Sequence, residues 1–178
     1  MRTLRKAGPF AVYILVLLLQ ANANALELPQ GLIRQDGRPA PALKLEDMDG
    51  NTTDLEALRG KWVFVHFWAS WCGPCRRELP RLQVLPGKLD EDGFAMVLIN
   101  TSEDEDTVFT FLAAVAPELN TLLDKDGLAT EAWRPRGLPA TYLVDPQGRV
   151  RYQALGGRPW DEKAYLAFLT ALISQVKR

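Results

Sequence analysis

The chain has 178 residues, 47% of them hydrophobic and 24% charged, with a formal net charge of -1. That is the composition of a globular protein with chain enough for one domain and a real core, and it excludes a disordered polymer. The near-balance of charges removes any bulk electrostatic case for nucleic-acid binding.

Arg2, Arg5 and Lys6 open the chain, the apolar run FAVYILVLLL follows over residues 10–19, and ANANA over 21–25 offers two small-x-small cleavage patterns. Together these predict a secretory signal peptide over residues 1–25, with an uncleaved N-terminal anchor as the alternative. The apolar run falls short of the roughly 20 residues a bilayer span needs. Removing the segment would take away three cations and no acid, moving the net charge from -1 to -4. Export would also place Cys72 and Cys75, the chain's two cysteines, where disulfides persist.

Residues 26–38, rich in Pro, Gly and Gln, read as a flexible lead-in to a single domain over 39–178. Alternation on either side of Asp49-Gly50 predicts a hairpin. The run from Trp62 to Ala69 is aromatic and β-branched with almost no polar break, which predicts a buried central strand. A helix is expected from about Cys72, with Pro74 tolerated in its first turn and Pro80 kinking it. Gly93–Asn100 reads as a second buried strand, followed by a helix capped by Ser102 with acids in its first turn. A short strand over 120–124, a short helix over 127–133, a strand over 139–145, a turn at 145–148 and a returning strand over 149–155 come next. An amphipathic helix over 159–176 closes the chain. Buried strands alternating with helices call for a layered α/β sheet covered on both faces.

The stretch HFWASWCGPCRREL, residues 66–79, gathers both cysteines, the only histidine and two of the five tryptophans. Three chemistries compete for it. A structural disulfide between Cys72 and Cys75 would close a very small loop and remove little chain entropy. A closed zinc site wants four ligands, and two sulfurs and one imidazole fall short, although copper(I) accepts two thiolates. A reactive dithiol fits best. The unpaired N–H groups and dipole at a helix start favour thiolate at Cys72, while Cys75, one turn inside, gains less and should be more buried. Cys72 then attacks a partner's disulfide and Cys75 resolves the mixed disulfide. Gly73 permits a close turn there and Pro74 stiffens it; Trp71 serves either as docking surface or as plain packing.

WCGPC after a buried strand, a proline five residues past the second cysteine, and the later GLPATYLVD resemble the thioredoxin superfamily. The lead-in from residue 39, the segment NTSEDEDTVFTFL and LLDKDGLATEAW are similar to its exported branch, which includes the TlpA, ResA and cytochrome c maturation thioredoxins. The resemblance covers residues 39–176. It implies a thioredoxin fold, a central mixed sheet flanked by helices, with an N-terminal β-hairpin extension and a central insertion. It also implies that Pro139 follows a cis bond opposite the cysteine pair, leaving Leu138 to pair with a partner's extended chain. Glu78 matches a glutamate this branch commonly holds near the cysteines, as a proton relay or a modifier of thiol acidity, a solvated helix acid being the alternative. His66 departs from the buried aspartate of cytoplasmic thioredoxins; a proton shuttle and a neutral core histidine are both open. Arg76 and Arg77 read as solvated or as greeting an acidic partner, and Arg134 and Arg136 as a weak rim to the docking groove.

The resemblance implies an exported thiol:disulfide oxidoreductase, most simply a periplasmic reductase without metal or other cofactor. Its partners would be disulfides of proteins such as apocytochrome c and a membrane thiol-electron donor, with no nucleic acid. A copper-handling role in oxidase assembly, and a general thiol oxidase or isomerase, are the alternatives.

Overall fold

The computed structural model describes residues 27–176; the segment read as a signal peptide lies outside them. In chain order the elements are β1 (Leu32–Arg34), β2 (Lys44–Glu46), β3 (Thr52–Asp54), β4 (Trp62–Trp68), α1 (Gly73–Leu82), β5 (Phe94–Thr101), α2 (Glu105–Val115), β6 (Leu122–Asp124), α3 (Leu128–Trp133), β7 (Ala140–Val144), β8 (Val150–Leu155) and α4 (Lys163–Ser174). One mixed sheet runs β1-β8-β7-β4-β5-β6, and β2 and β3 form a separate two-stranded hairpin. β4, β5 and β6 are parallel, whereas β7 runs antiparallel to both β4 and β8. This is the thioredoxin fold that the resemblance implied, with its hairpin extension at the N-terminal side.

β4 is buried at all seven positions, the result an unbroken apolar run demands. Its alternate residues feed two cores. Phe64 and Trp68 face a cluster with Leu79 and Leu82 of α1, Val108 and Leu112 of α2 and Phe168 and Leu169 of α4. Val63, Val65 and Phe67 face the other side, with Trp133 of α3 and Tyr142 of β7. The period of two therefore sends His66, between Phe64 and Trp68, to the face that α1 covers.

Two local expectations are corrected. The lead-in expected to be loose carries β1, whose three residues pair antiparallel with Tyr152–Ala154 of β8. A run of three gives almost no periodicity to read, and only its edge position makes it a strand. Ser102 does not cap α2; Asp104 does, accepting from the Thr107 N–H at 2.8 Å, while Ser102 takes a left-handed φ of 57°. α1 contains Pro80 and runs on past it to Leu82, and its cap is Cys72 itself.

Candidate active site

The turn after β4 delivers Cys72 to the N-cap of α1, with extended backbone (φ -83°, ψ 104°). Its Sγ accepts from the Cys75 N–H at 3.2 Å and is joined to Cys75 Sγ in a disulfide, with Cα atoms 5.2 Å apart. Cys72 is 4% exposed and Cys75 fully buried, so the outer sulfur is the one at the helix start. Pro74 fills the first turn, where its missing N–H leaves no helical bond unmade.

Below the pair, α1 turns Glu78 inward, onto the face that carries Cys75. The carboxyl is 3% exposed, not a solvated helix acid. Its Oε1 accepts from the indole N–H of Trp160 at 2.5 Å and from the backbone N–H of Arg158 at 3.0 Å. Its Oε2 lies 3.8 Å from His66 Nε2, and neither atom has a hydrogen-bond partner among the described residues. Burial pushes the Glu78 carboxyl up to about 7, against the opposing pull of the two N–H donors and the Arg158 charge. Burial also pushes His66 down to about 3, so the imidazole is neutral and forms no ion pair with Glu78 near pH 7. Its Nδ1 is held at 2.9 Å by Thr141 Oγ1, its register partner on β7. The arrangement is one neutral ring facing one carboxyl that is near its midpoint at neutral pH. Such a pair can take up or release a single proton there. Thr141→Val, which keeps the shape and removes the hydroxyl, should cost about 1–3 kcal/mol by leaving Nδ1 buried without a partner. Urea unfolding of the oxidised protein measures it, and a loss below about 0.5 kcal/mol would mean the ring is held by other contacts.

The Leu138–Pro139 peptide is cis. The β4–β7 register pairs Phe67 with Ala140, which puts Pro139 level with Trp68, the last residue of β4, just before the active-site turn. Leu138 is half-buried between the two cores. Trp71 is 70% exposed, whereas Trp68 is fully buried and donates to Thr121 Oγ1 at 3.0 Å. Arg76 lies over the Phe111 ring at 5.1 Å and is thus partly engaged with α2. Arg77, Arg134 and Arg136 are exposed, and Arg134 ends α3 in the left-handed region. A cleft of about 310 Å³ beside the first turn of α1 is lined by Pro74, Arg77, Glu78, Arg81, Gly157 and Arg158. Sequence reasoning missed Trp160, Arg158 and Thr141, each of which meets the site from another element. A lone tryptophan eighty-two residues away carries no local signal that its N–H points at a carboxylate.

Comparison with known proteins assigns the chain. The model of the AhpC/TSA family matches residues 37–153. The chain belongs to that thioredoxin-like family. The thiol-disulfide oxidoreductase ResA of Bacillus subtilis is 33% identical over 115 residues, 65% of this chain and 64% of that relative. The ResA of Bacillus thuringiensis is 28% identical over 163 residues, covering 88% of this chain and 94% of the relative. Among solved structures, a Chlorobium tepidum protein described as thiol:disulfide interchange protein DsbE aligns with a TM-score of 0.70 at 31% identity, over 79% of this chain and 99% of that one. With its cysteine pair at disulfide distance, the chain is a thiol-disulfide oxidoreductase of this family. No helix among the described residues is long and apolar enough to cross a membrane.

Proposed function

We propose that the protein is an exported reductase that passes two electrons to disulfides of other proteins outside the cytoplasm. The observation that carries this reading is the Cys72–Cys75 disulfide at the head of α1, with the less buried sulfur at the N-cap. In the reduced protein the Cys72 thiolate attacks one sulfur of the substrate disulfide. A mixed S–S bond forms, the substrate bond breaks, and the leaving thiolate takes a proton. Cys75, deprotonated with the Glu78 carboxylate as proton acceptor beside the neutral His66 ring, then attacks Cys72. The substrate leaves with both thiols reduced and the protein keeps both oxidised sulfurs. Leu138, before the cis-proline, offers backbone to the extended substrate, and exposed Trp71 gives it an apolar platform.

Export rests on the basic start, apolar run and small-residue sites of residues 1–25. The resemblance of the CGPC pair and its flanking segments to the cytochrome c maturation thioredoxins supports apocytochrome c as substrate, its CxxCH thiols having to be reduced before haem attaches, with a membrane thiol carrier resupplying electrons. Titration against a glutathione or dithiothreitol couple tests the direction. A potential near the thioredoxin end, about -270 mV, together with reduction of a disulfide CxxCH peptide, is expected. A potential near about -120 mV would make the protein an oxidase. Reduction of other disulfides but not of the CxxCH peptide would remove that substrate.

A further inference from the structure

The turn that carries Trp71 and Cys72 is fastened from outside by a residue none of the steps above uses. Between β4 and α1 the chain makes a tight turn closed by Cys72 N–H to Ala69 O at 3.2 Å. Inside that turn the Ser70 N–H donates to Glu103 Oε2 at 2.7 Å, and Ser70 Oγ donates to Glu103 Oε1. The same Oε2 accepts from the side-chain N–H of Asn100 at 2.7 Å; Asn100 is fully buried near the end of β5, directly opposite Trp68. Glu103 itself sits in the short link to α2, where the Ser102 N–H bonds back to Asp124 O and holds the link against β6. One carboxylate thus ties the end of β5 to the active-site turn with three hydrogen bonds, two to Ser70 and one to Asn100.

We propose that Glu103 is a positioning residue for Cys72. By fixing Ser70, the carboxylate sets the direction in which the chain enters α1, and so keeps Cys72 at the N-cap with its sulfur against the first helical N–H groups. Those groups favour the thiolate only while the sulfur points at them. Loosening the turn lets the side chain rotate away, and the thiol returns toward ordinary acidity. Trp71 leaves the same turn 70% exposed, so Glu103 also fixes where that ring stands toward a docking partner. The role is one of acceptor geometry and not of charge. A glutamine can reproduce all three contacts, its oxygen accepting from Ser70 N–H and Asn100 and its amide donating to the Ser70 hydroxyl.

This inference rests on Cys72 being the attacking thiol, and the experiment keeps the two apart. Reduced wild-type, Glu103→Gln and Glu103→Ala proteins, each also carrying Cys75→Ala, are alkylated with iodoacetamide across pH 5–10, and disulfide exchange is timed with the Cys75 forms. Glu103→Ala should move the alkylation midpoint upward and slow exchange at pH 7 about tenfold, while Glu103→Gln stays within about twofold of wild type. A folded Glu103→Ala protein with an unmoved midpoint and unchanged exchange overturns the proposal, and so does a Glu103→Gln protein as impaired as Glu103→Ala. If Glu103→Ala does not fold, Ser70→Ala removes one of the three bonds; a smaller upward shift supports the role and no shift overturns it. Failure of wild-type Cys72 to form mixed disulfides would instead remove the assignment of the attacking thiol.

Discussion

Cys72→Ala should reduce disulfide exchange to the uncatalysed rate, whereas Cys75→Ala should complete the first half of the reaction and stop. The asymmetry follows from place. Cys72 caps α1 and is the more accessible sulfur; Cys75 is fully buried one turn inside. Only the outer sulfur can meet a partner's disulfide, and only the inner one can displace that partner from it. A Cys75→Ala protein mixed with an oxidised substrate should therefore run on a non-reducing gel as a covalent adduct that dithiothreitol dissolves. Adducts with Cys72→Ala in place of Cys75→Ala would reverse the order of attack. Capture of adducts from an extracytoplasmic extract by the Cys75→Ala protein would also name the partners directly.

Glu78→Gln should change how stability depends on pH. Below about pH 4.5 the carboxyl is protonated in both folded and unfolded chains. As the pH rises from about 4.5 to about 7, the unfolded chain releases a proton that the folded chain retains, so stability falls with rising pH across that window. A displacement from 4.5 to about 7 corresponds to a loss of about 3 kcal/mol, complete above pH 7. His66 acts in the other direction. Its ordinary value of 6.5 is pushed down to about 3, so the folded state loses stability as the pH falls below 6.5. Between about 4.5 and 6.5 the two slopes oppose one another, and the native protein hides both. In Glu78→Gln the amide oxygen can still accept from Trp160 and Arg158, but nothing titrates. Its unfolding free energy relative to the native protein should rise by about 3 kcal/mol between pH 4.5 and 8, read by urea unfolding at each pH. A flat difference would mean that Glu78 is an ordinary carboxylate, and would remove it as proton acceptor for Cys75.

Much of the fold was legible because its signals are local. The unbroken run at Trp62–Trp68, Asp49-Gly50 between alternating segments, and cysteine and proline at a helix start each act through neighbours in the chain. The cysteine pair was legible for the same reason, whereas the cis bond before Pro139 came from the family resemblance and not from local signals. The chemistry beneath the disulfide was not. Whether Glu78 is solvated or buried depends on Trp160 and the Arg158 backbone, which arrive from the link between β8 and α4. That His66 is neutral follows from complete burial, and a threonine across the sheet holds its ring in place. Sequence spacing puts His66 on the right face and leaves its partners unstated. Ser102 shows the same limit: its N–H bonds back to Asp124 on β6, a contact from outside the local sequence, and Asp104 is the cap.

The most direct test of the account is the acidity of the Cys72 thiol in the reduced Cys75→Ala protein, followed by iodoacetamide alkylation or by thiolate absorbance near 240 nm. A midpoint well below the roughly 8.5 of free cysteine is expected, because the head of α1 holds the sulfur against unpaired N–H groups. A midpoint at or above that value would contradict the claim that the helix start makes Cys72 the attacking group.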